Sequence, residues 1–177
     1  MGTELDPEVD AVVLTTGIIA APKREVTAEG IERDMAISTL SRHATLRGLA
    51  PRLRPRTRVF VMGFPGAGNL GEPSDMNAEK GYAATAVHMN TVAGNEAIVL
   101  DGKQRYPHVD FFGLNPGLVK TSIRANLLGA GSLKHRLIEG IIGLLTPTPE
   151  GYAKRIVPLL GAPELDGRSG AMFGKKG

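Results

Sequence analysis

Tyr82, Ala86 and His88 lie in one alanine-rich stretch, YAATAVHMNTVAGN (82–95), that reads as helix. A phenol with a lysine one helical turn later makes a proton-transfer pair, but the residue four places after Tyr82 is Ala86. That leaves His88, whose imidazole titrates near neutral pH and can act as an acid or a base. The plainer reading of His88 is a histidine on a helix face.

Other chemistries find less support. The four histidines, His43, His88, His108 and His135, include no pair at zinc-like spacing with a third ligand, so no metal site is expected. There is no cysteine, which excludes disulfide frameworks, thiolate zinc sites and cysteine nucleophiles. No G-x-S-x-G nucleophile elbow occurs. GAGNLG (66–71) matches G-x-G-x-x-G after a strand, but a pyrophosphate loop needs a helix to start at once. EPSDMNAEKG follows instead, so an irregular loop is expected. Arg42, Arg47, Arg52, Arg54, Arg56 and Arg58 crowd a helix end and its loop, where cations suit the dipole. With no aromatic residue to stack on bases, that run reads as a solvated loop, and no nucleic-acid partner is expected.

NPGLVKTSI (115–123) is more specific. A strand running into Pro116 and Gly117, then Val119 and Thr121, places backbone amides and a hydroxyl at the C-terminal edge of a parallel sheet. Ligands bind at that edge. A simple strand-ending turn is the competing reading.

The elements that must position these residues alternate. DAVVLTTG (10–17) reads as a buried strand, and a helix over 29–49 follows, N-capped by Thr27 and stopped by Pro51. Strand 56–63, helix 79–104 and strand 109–117 come next. Helix 148–161 carries Thr148 as N-cap and Pro149 in its first turn, and strand 167–174 closes the order. The alternation predicts an α/β three-layer sandwich with a parallel sheet.

The chain has 177 residues, 42% of them apolar and 22% charged, which suits a single domain, 1–177, with a real core. Net charge is only +3. MGTELDPEVD is acidic and polar, unlike a signal peptide, and the apolar run LIEGIIGLL (137–145) is short and carries Glu139. A soluble, cytoplasmic protein without a membrane partner is expected.

In order, these landmarks resemble the short-chain dehydrogenase/reductase family. Strand plus TTG (15–17) is similar to the family's Asn-Ala-Gly turn after its fourth strand. EGIERDMAISTL (29–40) looks like the long helix after it, RVFVMG (58–63) like the fifth strand. NPGLVKT (115–121) resembles the Pro-Gly-x-Val-x-Thr segment that holds the nicotinamide, and the C-terminal stretch from Thr148 resembles the closing helix and strand. In the competing register AVVLTTGIIA would be the family's first strand and phosphate loop, but Ile, Ala and Pro stand where further glycines are needed.

The resemblance implies a truncated doubly wound, Rossmann-type fold covering the family's C-terminal two-thirds. It implies an oxidoreductase acting on a small hydroxyl or keto metabolite, in the manner of a divergent fungal branch found in secondary metabolism. NAD or NADP is implied as cofactor, or none, with Gly17, Pro116, Gly117, Val119 and Thr121 as cofactor-binding residues. The family's catalytic tyrosine and lysine fall at Ala86 and Asn90 counting back from Pro116, or at His88 and Val92 when anchored on Asn95. Its serine falls at Gly63 or Phe64 and its asparagine at Ser38, so all four roles are missing or replaced. Without the family's first three strands, strand 11–16 would be a sticky edge. Two alternatives follow: a catalytically silent chain that forms a homodimer or pairs with a full-length relative, and cofactor-free isomerisation or cyclisation.

Overall fold

The computed structural model describes residues 9–117 and 148–174. Strands β1 (Ala11–Leu14), β2 (Arg58–Met62), β3 (Asp110–Leu114) and β4 (Met172–Phe173) form one sheet in sequence order. Every pairing is parallel. Helix α1 covers 33–49 in three segments, Arg33–Met35, a π segment Ala36–Leu40, and Ser41–Leu49. Helix α2 is Ala84–Arg105 and helix α3 is Pro149–Leu160.

Alternation along the strands builds two cores, because successive side chains point to opposite faces. Val59, Val61 and Phe111 pack with Leu46 of α1 and with Ile98 and Val99 of α2. Phe60, Phe112, Leu114 and Phe173 face the other way, onto Tyr152 and Ile156 of α3. This is the expected three-layer α/β arrangement. Gly102 lets α2 lie directly on the sheet, since a Cβ there would come 2.5 Å from the Phe111 ring.

Three boundaries differ from expectation. β1 is half-buried rather than buried: it has β2 on one side only among the described residues, and Val13 is 37% exposed. Glu32, not Thr27, caps α1, its carboxylate accepting from the Met35 amide at 2.8 Å. Gly30, at φ +79°, folds the chain back so that Thr27 sits in a turn. α2 starts at Ala84, not near residue 79, because the Asp75 carboxylate accepts from the Glu79 and Lys80 amides and holds them in a separate turn. Tyr82 therefore precedes the helix. Thr148 caps α3 as expected, accepting from the Gly151 amide.

The arginine run is also not simply solvated. Arg54 pairs with Asp10, while Arg56 and Arg58 both grip Asp166. Arg42 is buried. No helix among the described residues is long and apolar enough to cross a membrane.

Candidate functional site

The two long helices meet along a polar seam. Asp34, Ser38 and Arg42 recur every four residues on α1 and so share one face. His88, Thr91 and Asn95 follow i, i+3, i+7 on α2. Close approach is possible because Gly94 faces Thr39, where a Cβ would come within 2.6 Å. Thr39 donates to the Thr91 carbonyl at 3.2 Å, and Thr91 to the His88 carbonyl at 2.7 Å.

At the upper end of the seam His88 Nδ1 lies 2.7 Å from Asp34 Oδ2. The Asp34 side chain is wholly buried, whereas that of His88 is 27% exposed. Asp34's other oxygen accepts the Ser38 hydroxyl at 2.5 Å, and the Ile18 amide donates to Ser38 Oγ at 3.0 Å. The carboxylate thus fixes the imidazole by its Nδ1 and leaves Nε2 as the nitrogen that can exchange a proton. Beside Asp34 a small cleft is walled by Ile18, Ala21, Glu25 and Glu32.

At the lower end Arg42 ties the seam to the C-terminal edge of the sheet. Its guanidinium donates to the Thr16 carbonyl after β1, to the Met62 carbonyl at the end of β2, and to Asn95 Oδ1 at 3.0 Å. Burial pushes its pKa down to about 10, partly offset by the attraction of Asp34.

The sequence-derived candidates divide. Gly17 lies against this seam: a Cβ there would come 3.3 Å from Arg42 Nη2 and 3.4 Å from Ser38 Oγ. Pro116 and Gly117 lie at the same sheet edge, after β3, two strands away, which is roughly 10 Å. Asn115 Oδ1 accepts from the Gly117 amide at 2.9 Å and shapes that turn. Val119 and Thr121 lie outside the described residues. Ser38, where the family's asparagine falls, orients Asp34 instead. At Gly63 the family's serine would be strained and crowded, since φ is +145° and a Cβ would come 3.0 Å from Arg42 and 3.1 Å from Asn95.

Tyr82 donates to the Ala21 carbonyl at 2.5 Å, and burial, with Glu32, Asp34 and Glu25 nearby, pushes its pKa up. The sequence reading missed Asp34, Arg42 and Asn95. For the two on α1 the signal was available: Asp34, Ser38 and Arg42 stand at helical spacing on the face that also carries buried Met35 and Leu46.

Comparison with known proteins bears on the fold. The chain is 48% identical over 178 residues to an uncharacterised oxidoreductase of Saccharomyces cerevisiae, covering 96% of this chain and 58% of that protein. A probable oxidoreductase of Streptomyces lividans is 26% identical, over 93% of this chain and 59% of its own length. The chain thus spans about three-fifths of the curated relatives it matches. No family model matches the sequence. Among solved structures, the oxidoreductase yciK of E. coli superposes with a TM-score of 0.62 at 14% identity, covering 97% of this chain and 64% of that one. The reductase LugOII, which carries out keto-reduction in lugdunomycin biosynthesis, gives 0.59 at 17% identity, over 94% and 62%. The angucycline ketoreductase LanV, solved with bound NADP, gives 0.59 at 16%, over 94% and 60%. At these identities the structures establish the short-chain dehydrogenase/reductase fold.

The nicotinamide cofactor that the resemblance implies has a matching edge at one end only. Gly17 and the Asn115–Gly117 turn lie at the C-terminal sheet edge where a nicotinamide belongs. The pyrophosphate finds no loop-and-helix cradle among the described residues. GAGNLG is not one: Gly71 is followed by the short 3-10 turn Pro73–Asp75, and α2 starts only at Ala84.

Proposed function

We propose that the chain is an oxidoreductase of the short-chain dehydrogenase/reductase type, acting on a small hydroxyl or keto metabolite with His88 as the proton-transfer group. One observation carries the reading: a part-exposed imidazole is held at 2.7 Å by a wholly buried carboxylate. Asp34 accepts from Nδ1–H, so Nε2 faces the substrate side. There His88 takes the proton of a hydroxyl or returns it to a developing alkoxide, and Asp34 steadies the imidazolium in between. When bound, NAD(P) would accept the hydride in the oxidation or supply it in the reduction, with Gly17, Pro116 and Gly117 at its nicotinamide end. The oxidoreductase relative supports this reaction class, and the resemblance extends it to secondary metabolism.

The test is NADPH titration followed by fluorescence, then NADPH oxidation with a panel of small ketones. Cofactor binding, and turnover that falls about 100-fold or more in His88→Gln, are expected. No binding at millimolar cofactor would sink the reading.

The part-exposed Val13 on β1, which has one neighbour strand among the described residues, favours a second reading: a silent chain that forms a homodimer or pairs with a related chain through that edge. Co-purification with a full-length homologue, without turnover, would favour it.

A further inference from the structure

A buried carboxylate beside a titrating imidazole needs balance in both states of the ring. When His88 is charged, the imidazolium balances Asp34. When His88 is neutral, Asp34 keeps the Ser38 hydroxyl, which carries no charge. The cations and acids around the pair are few. Arg33 faces the same cleft but is half-exposed and paired with Glu25. Arg24 is taken up by the Asn77 carbonyl. Glu32, in the cleft wall, adds negative charge, and Tyr82 before α2 is uncharged at neutral pH. Arg42 differs from all of these. It is 4% exposed, lies on the same face of α1 as Asp34, and has no carboxylate partner among the described residues.

We infer that Arg42 is a positioning residue whose guanidinium serves as the fixed countercharge of Asp34, so that His88 can lose and regain its proton. The inference rests on the reading of His88 as the proton-transfer group. Three neutral acceptors, the Thr16 and Met62 carbonyls and Asn95 Oδ1, hold the guanidinium in place without cancelling its charge. Gly17 and Gly63 leave the space it needs, since a Cβ at either would approach its nitrogens to 3.3 and 3.0 Å. Without Arg42 the imidazolium becomes the remaining partner for the buried carboxylate, and His88 holds its proton more tightly.

The test is a side-chain NMR titration of His88, its signal assigned by its loss in His88→Gln. Arg42→Gln, which keeps an amide donor but no charge, should raise the His88 midpoint by about half a unit or more. Arg42→Lys, which keeps the charge, should leave it near the wild-type value, and the corresponding limb of the pH–rate profile should move in parallel with the NMR midpoint. An unchanged midpoint in folded Arg42→Gln overturns the inference and leaves Arg42 as a tie between strand ends. Should Arg42→Gln fail to fold, the double variant Asp34→Asn/Arg42→Gln decides. A restored cooperative melt supports the countercharge, and a failure to recover overturns it. Full activity in His88→Gln would instead defeat the functional reading, and the titration would still answer for Arg42.

Discussion

Asp34 and His88 meet at 2.7 Å across the two long helices, the carboxylate wholly buried and the imidazole part-exposed. The two residues stand 54 positions apart in the chain. If the pair works as a unit, Asp34→Asn should lower kcat by roughly 10- to 100-fold with little change in KM. The double variant Asp34→Asn/His88→Gln should be no slower than His88→Gln. Steady-state kinetics of the three variants checks this, and additive losses would separate the two residues.

Packing of α2 on the sheet depends on one missing side chain. Gly102→Ala gains about 1 kcal/mol of helix propensity. It also drives a Cβ to 2.5 Å from Phe111, a fully buried ring with no room to give. Overpacking of this kind costs about 1–3 kcal/mol, so a net loss of stability is expected. Urea unfolding would show a lower midpoint at an unchanged slope, and a higher midpoint would contradict the close contact.

Asp166 links the turn after α3 to the start of β2. Hydrogen bonds from Arg56, then Arg58, hold its carboxyl below the usual 3.8. A depressed folded-state pKa gives stability that is fully present above the unfolded value and is lost as pH falls through the folded one. Asp166→Asn should therefore melt lower than wild type at pH 7, and the two should converge at a pH below the carboxylate range. The effect is small because Asp166 and Arg56 are largely exposed. Melting curves at pH 7 and near pH 2 measure it, and a gap that persists in acid would rule out this ion pair as its source.

Among the described residues β1 has β2 on one side only, and Val13 is partly exposed. Edges of this kind template pairing with another strand, and a lysine blunts them. Val13→Lys should reduce self-association in sedimentation velocity without shifting the far-UV spectrum. A wild-type chain that sediments as a clean monomer would argue against pairing through β1.

The sequence by itself determined the layers. Strands such as Arg58–Met62 and Asp110–Leu114 are apolar runs that must be covered on both faces, and Val59, Phe60 and Val61 show how alternation assigns each side chain to one core. Thr148 and Pro149 marked the start of α3 because capping is local chemistry. His88 stood out as a titratable group for the same reason. Only the tertiary structure decided what His88 touches. Its partner Asp34 lies 54 positions away, and the contact exists because α1 and α2 pack closely at Gly94 and Thr39. Arg42 shows the limit from the other side. In sequence it belongs to a run of arginines that reads as solvated, whereas in the fold it is the one drawn into the seam, because α1 turns its Asp34–Ser38–Arg42 face toward the strand ends. Residue type and spacing set which groups could react. The crossing of two helices over a sheet edge set which of them meet.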